Sequence, residues 1–367
     1  MTTRIAIDIS QIAYGTGVSV YTENLVRTLV KKYPHVDWIL FAGVFRQKKI
    51  IDDFARDLEV KYITKMFPPK IANIVWNRFH LYPIEKWIGK VDLIHTSDWT
   101  EPPSRLPKIT TVHDLVPIIY PETTTKLIKK VHEQKLNWVK RESEKILAVS
   151  ESTKQDLIKY LGISNNKIDV TYEGVEKCYY PRDFNEINKV KEKYNINGKY
   201  VFSLSTLEPR KNQTGLINAF NIISIKYPDL KLVLAGRIAW GKIPKFSKKI
   251  ISLGYVPTND LPALYTGALV YILPSFYEGF GLSQLQAMSC GTPVVTSNTS
   301  SMPEVVGNAG ILVDPNNVDD IARGIVKAID KRENLIHKGL KQIKKFSWER
   351  VAELTFKSYM DVIKTRS

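Results

Sequence analysis

The sequence predicts an α/β protein with two Rossmann-like, doubly wound domains that face each other across a cleft. Short apolar segments alternate with helical patterns along nearly the whole chain, which is typical of parallel βαβ units. A polar, proline-containing stretch at Gly174–Tyr194 interrupts this alternation, which then starts again, so we predict that this stretch is the linker between the domains. The length of 367 residues suits two domains that each bury a core of their own.

Six strands are predicted before the interruption, and they are rich in aliphatic residues: Arg4–Ile9, Trp38–Ala42, Leu93–His95, Ile109–His113, Lys145–Val149 and Ile168–Thr171. Helices are predicted between them where apolar residues recur at helical spacing, at Val20–Lys32, Thr124–Arg141 and Thr153–Leu161. Ser152 and Gln155 resemble a capping box that opens the last of these helices.

The second half repeats the pattern. Strands are predicted at Tyr200–Leu204, Leu232–Ala235, Leu269–Leu273, Val294–Thr296 and Gly310–Val313, and helices at Gln213–Ile225, Leu282–Ser289 and Val318–Ala328. The amphipathic segment Ser347–Ile363 is predicted to be a final helix. We therefore divide the chain into an N-terminal domain at 1–176, a C-terminal domain at 177–346, and a helix within 347–367 that packs back toward the first domain.

The composition is that of a globular protein, with 44% hydrophobic and 25% charged residues. No apolar run reaches the roughly 18–20 residues of a membrane-spanning helix. The first segment carries Asp8 and is predicted to be a strand, not a signal peptide. Cys178 and Cys290 have no metal-ligand partners at useful spacing. We interpret both as reduced thiols of a cytoplasmic protein.

The net charge of +16 favours a polyanionic partner. Residues 1–200 carry 32 Lys or Arg against 24 Asp or Glu, and residues 201–367 carry 21 against 13, so each portion has a net charge of +8. This even distribution indicates no basic tail for nucleic acid. Lys61–Lys90 combines six basic with six aromatic residues, and Gly241–Lys249 holds four lysines. The first segment fits either a solvated surface or contact with an anionic membrane. The second fits a solvated surface better.

Candidate functional residues follow the ends of predicted strands, because ligands of doubly wound sheets bind there. Gly15 and Gly17 let the backbone approach a ligand closely, although a plain tight turn is the alternative. Val20 stands where the dinucleotide fingerprint needs a third glycine, which argues against an NAD enzyme. His113 can hydrogen-bond a sugar hydroxyl, with a buried structural histidine as the alternative. His95 has a similar position and is assigned to the core.

In the second half, Arg210 and Lys211 stand between a strand and a helix, where two cations can neutralise a diphosphate. An exposed charge pair is the alternative. A glycine-rich loop then joins another strand to a helix. Glu278 at its mouth can hold sugar hydroxyls, and Gln286 in the helix can reach another polar part of a ligand. The loop can cradle a phosphate with its backbone N–H groups, those of Gly279, Phe280, Gly281 and Leu282. An ordinary strand-to-helix turn is the alternative.

Together these motifs resemble the retaining glycosyltransferases of family 4, which have the GT-B fold. Members of that family carry a glycine-rich loop after the first strand, a His-Asp after a mid-domain strand and an Arg-Lys opening the second domain. They also carry a Glu-Gly-Phe-Gly-Leu loop with a second glutamate eight residues on. The likeness covers nearly the whole chain, and the chain departs from it at Gln286, which stands in place of the second glutamate.

The resemblance implies that the N-terminal domain binds an acceptor and the C-terminal domain a nucleotide sugar. Gly15 and Gly17 would line the cleft, and His113 would bond the transferred sugar. Arg210 and Lys211 would hold the diphosphate of the donor, and Glu278 would hold the hydroxyls of its sugar ring. The N–H groups of Gly279–Leu282 would assist in donor binding. In the family the second glutamate grips the ribose hydroxyls. An amide there is expected to weaken ribose binding, and Gln286→Glu is expected to tighten it.

The opening Ile7–Ser10 with Thr16–Val18 looks most like bacterial and archaeal mannosyltransferases of this family. The resemblance therefore favours GDP-mannose as donor and a polysaccharide or polyprenyl-linked oligosaccharide as acceptor. A UDP-glucose or UDP-N-acetylglucosamine donor is the alternative. Other classes are a non-catalytic sugar-nucleotide-binding protein and a nucleic-acid-binding protein, although no reader module for nucleic acid is recognisable. We expect no cofactor and no metal, because no Asp-x-Asp motif ends a strand. The expected location is the cytoplasm, at the inner face of the membrane.

Overall fold

The structure is a computed structural model that describes residues 2–97, 99–237 and 246–366. The chain divides into two compact units. The first unit comprises Met1–Gly174 and Trp348–Ser367, and the second comprises Val175–Ser347.

The first unit is built on a parallel sheet of seven strands in the order β3-β2-β1-β4-β5-β6-β7. The strands are β1 (Arg4–Asp8), β2 (Asp37–Val44), β3 (Lys61–Met66), β4 (Leu93–Ser97), β5 (Lys108–Val112), β6 (Lys145–Ala148) and β7 (Ile168–Val170). Ile5 of β1 lies opposite Trp38 on one side and Leu93 on the other. Every residue of β4 and β5 is buried, as expected for parallel strands that are covered on both faces.

Helices connect these strands and cover the sheet. They are α1 (Gly17–Lys32), α2 (Lys48–Asp57), α3 (Pro69–Ala72), α4 (Glu85–Ile88), α5 (Val116–Ile119), α6 (Lys126–Glu142) and α7 (Glu151–Leu161). A π-helical turn at Asn73–Arg78 follows α3. Apolar side chains form one core around Phe41 and Trp76 and another around Val112 and Leu157.

The second unit has a parallel sheet of six strands in the order β10-β9-β8-β11-β12-β13. The strands are β8 (Tyr200–Leu204), β9 (Lys231–Ala235), β10 (Ile250–Gly254), β11 (Val270–Leu273), β12 (Val294–Ser297) and β13 (Gly310–Val313). The helices are α8 (Phe184–Lys193), α9 (Gln213–Lys226), α10 (Leu261–Gly267), α11 (Leu282–Ser289), α12 (Met302–Val306), α13 (Val318–Asp330) and α14 (Arg332–Gln342). Phe220, Leu232, Ile272 and Ile325 lie in its core.

The last helix, α15 (Trp348–Arg366), belongs to the first unit, where it packs against α1. Tyr359 of this helix contacts His95 with its hydroxyl 2.6 Å from Nδ1. His95 is 2% exposed, so its assignment to the core is confirmed. Burial and the charge of His113 lower the pKa of His95 to about 3, which keeps the imidazole neutral. The two doubly wound parallel sheets likewise confirm the predicted fold class.

Two predictions about helices are corrected. Ser150, not Ser152, caps α7: its Oγ accepts from the Thr153 amide at 3.0 Å, and Gln155 donates to Glu151 instead. The reason is that the helix begins two residues earlier than its apolar periodicity suggests. The stretch Gly174–Tyr194 is not all linker, because it contains α8. This short helix shows no apolar periodicity in the sequence, because only one of its residues, Val190, is buried.

The prediction for Lys61–Lys90 is also corrected in part. Trp76 is 1% exposed, and Phe67 and Trp87 lie against it with ring centroids 4.9 and 5.6 Å away. These aromatic rings belong to the core because they pack against apolar side chains of the sheet such as Phe41. Phe79 and Tyr82, in contrast, are exposed. Two lysines of Gly241–Lys249, Lys242 and Lys245, lie outside the described residues. Within the described part of the chain, no helix is both long and apolar enough to span a bilayer.

Candidate active site

The candidate site of the second unit forms where the neighbouring strands β8 and β11 end. These strands pair in parallel, so the segments that follow them leave the sheet at the same edge. A single 3₁₀ turn, Pro209–Lys211, follows β8 and leads into α9. The glycine-rich loop at 274–281 follows β11 and leads into α11. The topology therefore brings together two segments that are almost 70 residues apart in the sequence.

Glu278 is the centre of an ion cluster at this edge. Lys211 Nζ donates to both of its carboxylate oxygens, at 2.7 and 2.8 Å, and Arg210 Nη1 donates to one of them at 2.9 Å. Arg210 Nη2 also donates to Glu208, at 2.5 Å. The four side chains are only 8–15% exposed. Three predicted site residues, Arg210, Lys211 and Glu278, thus meet in one largely desolvated cluster.

Backbone contacts fix the geometry of this cluster. The Phe276 amide donates to the carbonyl oxygen of Arg210 at 2.9 Å, which joins the loop to the 3₁₀ turn. Arg210 Nη1 donates to the Tyr277 carbonyl oxygen at 2.8 Å. Ser275 Oγ donates to Glu278 Oε1 at 2.6 Å. The carboxylate is therefore positioned by hydrogen bonds from its own loop as well as by the cations.

The electrostatics of the cluster keep Glu278 ionised. Burial by itself would raise the pKa of Glu278, but the charges of Lys211 and Arg210 and their hydrogen bonds lower it to about 2. Burial and the neighbouring Arg210 lower the pKa of Lys211, against the attraction of Glu278. Glu278 is therefore a hydrogen-bond acceptor throughout the neutral pH range.

The loop after Glu278 ends in a conformation that favours glycine. Gly281, which precedes α11, has a φ of 125°, and a Cβ there would lie 3.2 Å from Gln284 Oε1. Ser301 Oγ donates to the carbonyl oxygens of Glu278 and Phe280, at 2.9 and 2.5 Å. The first N–H groups of a helix have no partner within it and can bind an anion. The start of α11 at Leu282 is thus suited to a phosphate.

Gln286 lies one turn further along α11 and is 6% exposed. Its Oε1 accepts from the Tyr265 hydroxyl at 3.3 Å. Its Nε2 donates to both carboxylate oxygens of Glu176, at 3.3 and 3.4 Å. Both ends of the buried amide are therefore engaged by protein groups.

The other predicted site residues lie in the first unit. His113 follows β5, with Nε2 3.1 Å from Ser97 Oγ and Nδ1 3.6 Å from the Glu173 carboxylate. Its ring meets Tyr21 edge-on at 4.7 Å, and its side chain is 14% exposed. Gly15 has a φ of 62° and Gly17 opens α1, and a Cβ at either would meet no atom within 4 Å.

Sequence reasoning missed four polar residues of the candidate site: Glu208, Ser275, Ser300 and Glu176. Glu208 immediately precedes the Pro-Arg-Lys turn, and Ser275 precedes Glu278 by three residues. Both could have been noticed from these spacings. Ser300 Oγ accepts from the Glu278 amide at 3.0 Å, and no local pattern indicates that contact. Among the described residues, no group of three or more His, Cys, Asp or Glu side chains is arranged to hold a metal ion.

Comparison with known proteins matches residues 15–177 to the family model Glycosyltransferase Family 4 and residues 184–345 to Glycosyl transferases group 1. The O-antigen chain mannosyltransferase B of Escherichia coli is 37% identical over 274 residues, which cover 70% of this chain and 71% of that protein. Serotype-specific mannosyltransferase WbdA of Escherichia coli is 30% identical over 275 residues, which cover 69% of this chain but only 33% of WbdA.

The solved structures share the fold. Anabaena Alr3699/HepE in complex with UDP-glucose superposes with a TM-score of 0.72 at 18% identity, covering 98% of this chain and 99% of that chain. The two doubly wound units, together with the matches to glycosyltransferase family models, identify a glycosyltransferase of the GT-B fold. The chain belongs to glycosyltransferase family 4, among the glycosyl transferases of group 1.

Proposed function

We propose that the protein is a retaining mannosyltransferase that uses GDP-mannose as donor and a polysaccharide or polyprenyl-linked oligosaccharide as acceptor. The relative that is 37% identical is named as an O-antigen chain mannosyltransferase. It matches more than two thirds of both chains, which supports mannose as the transferred sugar and a growing glycan as the acceptor. The names of more distant relatives support the same sugar.

The observation that carries the proposal is the buried cluster of Arg210, Lys211 and Glu278. In the proposed step, the bond between the anomeric carbon and the diphosphate oxygen breaks, and the acceptor hydroxyl oxygen bonds to the same face of the sugar. The departing diphosphate oxygen accepts the hydroxyl proton. Arg210 and Lys211 would stabilise the negative charge that develops on the diphosphate. Ionised Glu278 would accept hydrogen bonds from sugar hydroxyls.

The remaining roles follow the family pattern. His113 would hydrogen-bond the transferred sugar, and the open space beside Gly15 and Gly17 would leave room for a ligand near the backbone. The loop after Glu278 would assist donor binding through the N–H groups of Gly279, Phe280, Gly281 and Leu282. Under this proposal the first unit binds the acceptor and the second unit binds the nucleotide sugar.

The proposed reaction needs neither a divalent metal nor a separate cofactor. Two cations of the chain itself meet where the leaving diphosphate would bind, and they can supply the positive charge that a metal supplies elsewhere. Activity in excess EDTA should equal activity without it. Loss of activity that manganese restores would contradict this part of the proposal.

Transfer is tested with the purified protein, labelled GDP-mannose and a synthetic polyprenyl-linked oligosaccharide. Proton NMR of the product should show an α-mannosidic linkage, since retention preserves the α configuration of the donor. Parallel reactions with UDP-glucose and UDP-N-acetylglucosamine separate the donor alternatives, and transfer from a UDP sugar alone would replace mannose. Nucleotide-sugar binding without turnover on any acceptor would instead make the chain a non-catalytic binding protein.

The proposed location is the cytoplasm, with the first unit in contact with an anionic membrane that presents the acceptor. The segment 65–86 supports this because its exposed surface is both basic and apolar. Met66, Phe79 and Leu81 are 81%, 56% and 61% exposed. The Arg78 guanidinium lies 5.1 Å from the centre of the Phe79 ring, and Lys86 Nζ lies 4.8 Å from that of Tyr82. Such pairs suit a lipid headgroup region. We call residues 65–86 the basic–apolar segment.

A further inference from the structure

We propose that Glu173 is a positioning residue that keeps the proton of the His113 imidazole on Nδ1, so that Nε2 accepts a hydrogen bond from a hydroxyl group of the ligand. This inference rests on the proposed role of His113 in sugar binding. It concerns a buried carboxylate in the segment after β7, which no local pattern of the sequence indicates.

The topology of the first sheet brings the residues concerned to one edge. β4 pairs in parallel with β1 and β5, so Ser97 at the end of β4 and His113 after β5 lie at the same edge. β6 and β7 continue the sheet in parallel, and Glu173 follows β7 at that edge. Tyr21, one turn into α1, meets the His113 ring edge-on at 4.7 Å. A Cβ at Gly17, where α1 begins, would meet no atom within 4 Å. This edge therefore has open space one helical turn from the residue that packs on His113.

Each ring nitrogen of His113 faces a different partner. Nδ1 lies 3.6 Å from the Glu173 carboxylate, and Nε2 lies 3.1 Å from Ser97 Oγ. The separation at Nδ1 is longer than a formed hydrogen bond, so the carboxylate acts on the ring through its charge. A lone pair on Nδ1 would face this negative charge, whereas a proton on Nδ1 is attracted to it. In the neutral ring the lone pair is then on Nε2, and the Ser97 hydroxyl donates to it.

The position of the proton decides which ligand group His113 can recognise. Nε2 has a single lone pair, so a ligand hydroxyl that donates to it takes the place of the Ser97 hydroxyl. Phosphate and carboxylate oxygens cannot donate a hydrogen bond when ionised, and the charge of Glu173 repels them. The arrangement therefore selects a neutral, hydroxylated part of the ligand, such as a sugar ring, and disfavours an anionic group.

Nuclear magnetic resonance of the protein with ¹⁵N-labelled histidines measures the protonation of each ring nitrogen. The chain has six histidines, and the spectrum of His113→Asn assigns the His113 signals. At about pH 8.5, where an ordinary histidine is neutral, the wild-type protein should carry the proton on Nδ1 alone. Glu173→Gln should add the opposite tautomer, because a side-chain amide can face Nδ1 with its oxygen or its NH₂ group. Glu133→Gln, a half-exposed carboxylate change in the same unit, is the control and should leave the His113 signals unchanged.

Steady-state kinetics with GDP-mannose connect the tautomer to the ligand. Glu173→Gln should lower kcat/KM by about 10-fold, the effect of losing one well-oriented hydrogen bond. Ser97→Ala should lower the KM, because the ligand hydroxyl then has no competitor for Nε2. Glu133→Gln should have wild-type kinetics. Far-UV circular dichroism of each variant checks that the fold is intact.

The outcomes separate this inference from the function on which it rests. A wild-type His113 with its proton on Nε2, or with both nitrogens protonated, would overturn the inference whatever the activity of the protein. A Glu173→Gln variant that keeps the wild-type tautomer or the wild-type kcat/KM, or a raised KM for Ser97→Ala, would also overturn it. Absence of transfer by the wild-type protein from GDP-mannose, UDP-glucose and UDP-N-acetylglucosamine would overturn the proposed function instead, and the spectra would still decide whether Glu173 positions His113.

Discussion

Glu278 is the residue on which the candidate site depends most. It is buried, yet it stays ionised because two cations and the Ser275 hydroxyl contact its oxygens. Removal of one cation therefore leaves the carboxylate less well compensated in a poorly solvated place, where an unpaired charge is costly. Substitutions in this cluster act on both ligand binding and local structure, and a test must measure both.

Arg210→Ala should lower kcat/KM by about 10²- to 10³-fold, the usual effect of removing one preorganised donor from a developing negative charge. Lys211 still compensates Glu278 in this variant, so the fold should persist. Steady-state kinetics with the sugar nucleotide measure the loss, and circular dichroism checks the fold. Arg323→Ala is a matched control, because Arg323 is in the same unit and its side chain is 67% exposed. Equal kinetics for the Arg210 variant and the control would remove Arg210 from the site.

The low pKa of Glu278 predicts a dependence of stability on pH. Its pKa is about 2 in the folded protein, below its ordinary value of 4.5. Between these values the unfolded chain binds more protons, so the stabilisation is complete above about pH 4.5 and is lost as the pH falls toward 2. Urea unfolding followed by circular dichroism should therefore give a wild-type advantage over Glu278→Gln that shrinks as the pH falls through this window. A constant difference across it would contradict the depressed pKa.

The sequence indicates the residue types of the site but not their pairing. Arg210, Lys211 and Glu278 could be predicted because each follows a strand, and strand ends are where doubly wound sheets bind ligands. Their contact could not be predicted, since it depends on β8 and β11 being neighbours, which no local pattern encodes. The same limit applies to Glu176, whose contact with Gln286 joins the start of the second unit to α11.

At the scale of elements, the sequence predicted all the central strands of the two described sheets but only two of their four edge strands, β7 and β13. β4 and β5 are buried along their whole length, although each contains polar residues, because both of their faces are covered. β3 and β10 were missed, and each lies at the edge of its sheet. In β3 no residue is fully buried, and its lysines interrupt the apolar pattern. Charged residues on an edge strand are a common protection against pairing with another chain, and they also remove the signal by which a strand is recognised.

A buried ion network joins β5 to its neighbouring elements. Lys108, at the start of β5, is 1% exposed and donates to Glu142 of α6 and to the Pro102 carbonyl oxygen, both at 2.8 Å. Its Nζ also lies 3.0 Å from Glu101, which is fully buried. Burial alone would lower the pKa of Lys108, but the two carboxylates outweigh burial and raise it. The ammonium thus remains charged within the core of the first unit.

Lys108→Met should destabilise the first unit by about 3–5 kcal/mol, because it leaves a buried carboxylate without its cation. Six of the seven tryptophans lie in the ranges that form this unit. Tryptophan fluorescence in urea therefore reports mainly on its unfolding. Lys145→Met is the control, since Lys145 pairs with Asp169 at 2.9 Å in a half-exposed place and should contribute less than about 1 kcal/mol. Equal midpoints for the two variants would mean that the network adds no stability.

At the scale of the whole molecule, charge and exposed apolar surface are distributed differently. The net charge of +16 is shared evenly between residues 1–200 and residues 201–367. Exposed apolar side chains are not: among the described residues, eight of the eighteen large exposed hydrophobic side chains lie between Phe45 and Tyr82. Charge alone would attract any polyanion to any face. The coincidence of both properties in the basic–apolar segment favours an anionic bilayer, because apolar side chains gain free energy only where a hydrocarbon region receives them.

The basic–apolar segment should bind vesicles that contain anionic lipid, and binding should weaken as salt shortens the Debye length from about 8 Å at 0.15 M to about 3 Å at 1 M. The double variant Phe79→Ser with Leu81→Ser should reduce the bound fraction in a flotation assay, because each buried side chain contributes about 1.5–3 kcal/mol. Ile225→Ser is the matched control: Ile225 is 84% exposed but lies in the second unit, so its loss should change nothing. Neutral vesicles test the charge dependence. Absence of binding at low salt, or an equal loss for both variants, would make the segment an ordinary solvated surface.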